Sequence, residues 1–170
     1  LSIIEIFSQI GEDIKLNSQK IIIRNKEDYS NFQIKKLEKI DVDGAGSIGL
    51  VIQELLPALI LCKSDESYCI NIRGGTIVNF SPSTYYLNDV FFHLLKMKYD
   101  TILCSLNVNR HGFFPIGQGN VDLTIKTNKK IDFFPSLNLT SRGNLKKILI
   151  RSIYTSSINI NDVTKVHKCV

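Results

Sequence analysis

Apolar residues in this chain recur at two spacings, three to four positions and two positions, and the switches between them mark its elements. Ile48, Val51, Ile52, Leu55, Leu56 and Leu59 share a wide helical face, which predicts a helix over 47–62 buried between layers. Pro57 lies inside it and removes one backbone hydrogen bond, so a kink or a shortened last turn is expected there. A second helix is predicted over 82–98 from Leu87, Val90, Phe91, Leu94 and Leu95, with Ser81 as N-cap and Pro82 at the first helical position. Shorter, β-prone runs predict strands at Ile40–Asp43, Cys69–Ile72, Ile102–Val108 and Val121–Ile125.

The order of these elements is β-α-β-α-β-β. Residues 1–25 carry its last three elements: a helix with Ile3, Ile6, Phe7 and Ile10 that stops at Gly11, then short strands at Ile14 to Leu16 and Ile21 to Ile23. Residues 26–36 are polar and aperiodic and read as a loop, while Leu145 to Tyr154 and Asp162 onward read as a new β-α start. The fold class is therefore α/β of the α+β kind, built from repeated β-α-β-α-β-β units. The division is 1–36 as the end of one repeat, 37–127 as a complete repeat and 128–170 as the start of the next.

A length of 170 residues and an apolar fraction of 44% suit one folded domain and argue against disorder. The strongest apolar run, Ile48 to Leu61, is broken by Gln53, Glu54 and Pro57, so no membrane span is expected. The opening LSIIEIF lacks the basic start of a secretory leader and reads as an element entered partway. The four cysteines, Cys62, Cys69, Cys104 and Cys169, show no CxxC spacing, and three lie in apolar runs, which favours buried reduced thiols in the nucleus or cytosol over disulfides, zinc sites or secretion. A net charge of +5 favours polyanionic partners only weakly.

Chemistry concentrates between Ile72 and Val90. A strand ends there in Gly74-Gly75, and a helix starts after Ser81, an arrangement that holds ligands in many α/β proteins but is also an ordinary connection. No Walker loop, HExxH or GxSxG occurs, and His93, His111 and His167 are far apart in sequence. His111 lies in a glycine-rich turn beside Arg110, a setting for phosphate contact or for a purely structural turn. Gln53, taken alone, reads first as a solvated helix residue.

Three blocks taken together resemble the RNA 3′-terminal phosphate cyclase family: DGAGSIGLVIQELLPALIL (Asp43 to Leu61), RGGTIVNFSPSTYYLNDVF (Arg73 to Phe91) and NRHGFFPIGQGNV (Asn109 to Val121). NLTSRGNLKKI (Asn138 to Ile148) is a weaker fourth. The resemblance implies repeats of two helices on a four-stranded sheet, related to the enolpyruvate transferases. It also implies an ATP-dependent ligase, assisted by Mg²⁺, that turns an RNA 3′-phosphate into a 2′,3′-cyclic phosphate through an adenylated histidine. That histidine and the family's glycine-rich N-terminal segment have no match here, so the chain is expected to be an internal piece, inactive alone, with sheet edges through which it would dimerise. No catalytic or metal-binding residue is assigned within it.

Carried over residue by residue, the family's ATP contacts fall on Gln53 and Pro82, and its RHG turn on Arg110 and His111, for RNA or phosphate. Where the family has three glycines, this chain has Gly117-Gln118-Gly119, which puts close anion contact by that turn in doubt. The other branch of the resemblance is a non-catalytic cyclase-like protein acting in ribosome biogenesis.

Overall fold

The computed structural model describes residues 38–61, 67–99, 101–127, 136, 138–155, 157–159, 161 and 164. Strand β1 (Lys39–Asp41) leads to helix α1 (Ile48–Leu61) and strand β2 (Ser67–Gly74). A continuous helical run follows, made of α2 (Thr84–Tyr86), a π-helical turn (Leu87–Phe91) and α3 (Phe92–Lys98), and then strands β3 (Ile102–Arg110) and β4 (Gly119–Thr127). This is the predicted β-α-β-α-β-β order. The sheet runs β1-β2-β4-β3, with β1 parallel to β2 and the other pairs antiparallel. The chain thus has an α+β fold with two helical elements on a four-stranded mixed sheet.

Strand alternation gives the sheet one apolar face. Ile40, Tyr68, Ile70, Ile72, Ile102, Leu106, Val121, Leu123 and Ile125 are buried and join Ile48, Ile52, Leu55, Leu56 and Leu59 of α1 with Leu87 and Phe92 in one core. Burying each such side chain is worth about 1.5–3 kcal/mol, so the helices are held on this face far more firmly than helix propensity alone would hold them. The opposite face carries Lys39, Asp41, Asn71, Arg73, Asn107, Asn109, Asn120, Asp122 and Lys126, and no described helix lies on it.

Several expectations are corrected here. Ser83, not Ser81, caps the second helical run: the Tyr86 N–H donates to Ser83 Oγ at 3.1 Å, and Pro82 stands before the helix rather than at its first position. The inward face of that run also shifts. A π turn holds one extra residue, so the Phe92 N–H bonds the Leu87 carbonyl, and Leu87 and Phe92 become the buried pair while Val90 is 41% exposed. Cys69 and Cys104 are free thiols, but Cys69 is exposed, because it falls between the buried Tyr68 and Ile70 on a strand of strict alternation. Cys104 faces the core, and burial pushes its thiol up to about 12.

Leu1–Ser136 and Leu137–Val170 form separate compact units, and every strand and helix named above belongs to the first. In the second, residues 138–155 form neither strand nor helix, and Leu145, Ile148 and Leu149 are exposed. The strand expected at Leu145 to Tyr154 is not formed, since β-prone residues make a strand only where a neighbour takes their hydrogen bonds. The elements expected over 1–36, Cys62, Cys169, His167 and, apart from Thr164, the helix from Asp162 onward lie outside the described residues. Among the described residues no helix is long and apolar enough to cross a membrane.

Candidate functional site

Three connections meet at one end of the sheet: 42–47 after β1, 75–83 after β2, and 111–118 between β3 and β4. They meet through backbone. The Ile48 N–H donates to the Gly75 carbonyl (3.0 Å), the Gly75 N–H to that of Gly46 (2.7 Å), and the Thr76 N–H to that of Gly112 (2.9 Å). Glycine permits this closeness. A Cβ on Gly117, whose φ is +72°, would stand 1.8 Å from the Gly44 carbonyl oxygen, and one on Gly112 would stand 2.3 Å from the Gly119 nitrogen.

On the helical side, Ser47 caps α1 by accepting the Leu50 N–H (3.1 Å), and its hydroxyl also bonds that of Ser81. The starts of the two helical elements are thereby tied together. Pro82 rests on the bare face of Gly49, where a Cβ would lie 2.2 Å from the Pro82 carbonyl oxygen. Gln53 follows Gly49 by one helical turn and so shares its stripe of α1; it is half-buried, and Pro57 has no N–H to give to its backbone carbonyl. The structure therefore brings Pro82 onto the α1 stripe that carries Gln53.

His111 belongs to this same side. Its Nε2 lies 3.1 Å from the Tyr85 hydroxyl and its Nδ1 lies 3.5 Å from Thr76 Oγ1, with the rings of Tyr85 and Phe113 at 5.7 and 6.2 Å. Thr76 is buried; its hydroxyl donates to the Gly112 carbonyl (3.2 Å) and accepts the Gly112 N–H (3.0 Å). The Thr76 and Tyr85 hydroxyls, each able to donate or accept, stand against the two ring nitrogens of His111. Both ring nitrogens are thus engaged in pinning the 111–118 turn to the start of the second helical run.

Arg110 goes the other way. Simple alternation along β3 would place it with Ile102, Leu106 and Val108 on the core side, but a bulge between Val108 and Arg110 sets it opposite Asn120. A row results across all four strands: Asp41 beside Arg73, Arg73 beside Asn120, and Asn120 beside Arg110. It forms the floor of a cleft of about 620 Å3, also lined by Gly44, Ile116 and Gln118. Gln118 adopts φ +57°, a conformation suited to glycine, and its Oε1 accepts from Arg110 Nη2 at 3.4 Å. The residue that replaces the middle glycine thus lends the cleft a side-chain amide.

Beyond the cleft the open face carries an amide ladder. Asn71 Nδ2 donates to Asn120 Oδ1 (3.0 Å) and Asp122 Oδ1 (2.6 Å), and Asn109 Nδ2 to Asp122 Oδ2 (2.6 Å). These bonds from Asn109 and Asn71 hold the Asp122 carboxyl below its usual range. Of the sequence-derived candidates, Gln53, Pro82 and His111 lie on the helical side and Arg110 lies in the cleft. Arg73 and Asn120 lie within the family-like blocks but carry no site role from the sequence, although the alternation of β2 already points Arg73 away from the core. Among the described residues no three His, Cys, Asp or Glu side chains stand close enough together to hold a metal ion.

The sequence profile of the RNA 3′-terminal phosphate cyclase family matches residues 3–163. The chain is 31% identical over 116 residues to the "Probable RNA 3′-terminal phosphate cyclase" of Dictyostelium discoideum, covering 68% of this chain and 25% of that protein. It is 28% identical over 156 residues to the RNA 3′-terminal phosphate cyclase of Desulfurococcus amylolyticus, covering 89% of this chain and 41% of that one. For that of Korarchaeum cryptofilum the figures are 40% over 91 residues, 54% and 25%. The matched region spans between a quarter and about two fifths of these relatives' lengths.

Proposed function

This chain belongs to the RNA 3′-terminal phosphate cyclase family, and from that premise we propose that it supplies one wall of the adenosine site in an ATP-dependent conversion of an RNA 3′-phosphate to a 2′,3′-cyclic phosphate. The observation that carries this reading is the seating of Pro82 on Gly49, one helical turn before Gln53. The Gln53 amide offers both a donor and an acceptor to an adenine or ribose edge, and the Pro82 ring offers an apolar surface to a base. ATP supplies the adenylyl group that activates the RNA phosphate. The resemblance puts the adenylated histidine outside these 170 residues, and the engagement of His111 by Tyr85 and Thr76 fits a positioning rather than a nucleophilic role for it. Mg²⁺ finds no carboxylate cage among the described residues, and none of them is assigned to it. Dimerisation through sheet edges and a nuclear or cytosolic location belong to the same proposal.

The test uses the protein that joins these residues to the rest of the family's length. Incubated with ATP and 3′-phosphorylated RNA, it should release 2′,3′-cyclic ends, whereas the 170-residue chain alone should take up no covalent AMP. Gln53→Ala should weaken ATP binding by about 1–2 kcal/mol, the scale of one ligand hydrogen bond, and leave Tm unchanged. Loss of folding with unchanged nucleotide affinity would defeat the assignment.

A further inference from the structure

The cleft at the strand ends has no part in that adenosine wall. Gln53 projects from α1, which covers the apolar face of the sheet, whereas Arg73 and Asn120 alternate onto the opposite, open face and the β3 bulge brings Arg110 beside them. Arg73 and Arg110 flank Asn120 on neighbouring strands, so their Cα atoms stand about 10 Å apart, two strand spacings. Both are exposed. Between them lies the Asn120 amide, and beside them lie the Gln118 amide, the apolar Val42 and Ile116 and, on the far side of Arg73, the Asp41 carboxylate, in a space of about 620 Å3. Forked donors that flank neutral amides fit the oxygens of a phosphodiester, and Ile116 fits a ribose or a base edge.

We propose that this cleft binds the RNA strand on the 5′ side of its reacting end, with Arg73 and Arg110 holding backbone phosphates and Gln118 setting the position of Arg110. This rests on RNA being the substrate, and it adds a second contact region on the face of the sheet away from Gln53 and Pro82. A phosphate held in the cleft is then not the one that is activated beside the nucleotide. Binding here depends on the length of the strand and not on the chemistry of its terminus.

Fluorescence anisotropy on the whole 170-residue chain, without ATP, tests this with a labelled single-stranded RNA of about ten nucleotides, ending in either a 3′-hydroxyl or a 3′-phosphate. Arg73→Gln and Arg110→Gln should each lower affinity about fivefold for both RNAs and flatten the slope of log affinity against log salt by about 0.7, one phosphate contact on a single strand. Lys98→Ala, which removes a positive charge from the exposed end of α3, should leave affinity unchanged, and circular dichroism should show all three variants folded. Wild-type affinity in the arginine variants, an equal loss in Lys98→Ala, a loss confined to the 3′-phosphorylated RNA, or no RNA binding by the unaltered chain would each overturn the proposal. The outcomes separate from those of the adenosine reading. Cyclisation that fails while arginine-dependent RNA binding persists would sink that reading alone, and the reverse would sink the cleft alone.

Discussion

Arg110 and His111 are adjacent in the chain and sit in two unlike regions. On the helical side, Thr76, Tyr85 and His111 are joined by hydrogen bonds and ring contacts and close a turn onto a helix. On the open face, Arg110 donates to Gln118 and lines a cleft with Arg73. Polar residues thus serve two ends at one strand terminus. Those whose bonding capacity is filled from within the protein fix geometry, and those left with capacity in hand are available to a ligand.

The sharpest way to break this contrast is to disturb the glycine contacts under both regions. Gly117→Ala combines an unfavourable φ of +72° with a Cβ 1.8 Å from the Gly44 carbonyl, and both are backbone constraints. It should cost about 3 kcal/mol or more in urea unfolding and spoil the cleft as well; a loss under about 1 kcal/mol would mean that the connections do not hold each other as described. Next, His111→Ala should lower stability by about 1–2 kcal/mol, for its lost hydrogen bonds and ring packing, and leave RNA affinity unchanged. The arginine variants should do the opposite, and a common pattern for both neighbours would erase the distinction.

A smaller effect of opposite sign is expected at Thr84. Its hydroxyl is buried with no partner among the described residues, in the first turn that Tyr85 shares. Thr84→Val should raise stability by about 1 kcal/mol by removing an unmatched polar group, read as an increase in the urea midpoint. The least effect belongs to the open face. Because Asp122 has a folded-state pKa below the usual 3.8, its contribution is present above that value and is lost as pH falls through the lower, folded value. Solvent screening at this site limits the change to a few tenths of a kcal/mol, and Asp122→Asn should remove that part of the acid dependence.

How much of this was legible beforehand varies with the range of the interaction involved. The run of Ile48, Ile52, Leu55 and Leu59 and the alternation of Val121, Leu123 and Ile125 specify a helix and a strand by local spacing, and their order specifies the unit. Burial of a wide helical face under a one-sided sheet then follows from the hydrophobic effect. The same local rules misplaced Val90 and Phe92, because nothing in LNDVF announces a π turn. That turn also sets Asn88 Oδ1 to accept the Leu106 N–H of β3 at 3.1 Å, a contact between residues 18 apart. They misread 145–154 too, where apolar residues lack the neighbour that a strand requires.

Site geometry shows the same division. The family motifs gave Gln53, Pro82, Arg110 and His111 as candidates, and the chain alone determined these residue types and the helix and strand ends that carry them. Only the tertiary structure decided that Pro82 would meet Gly49, that His111 would turn inward to Tyr85, and that Arg110 would turn outward to join Arg73 across Asn120. The physical reason is that side-chain direction at a strand end depends on register, and register was set by a one-residue bulge and by glycine contacts between segments some 30 to 70 positions apart.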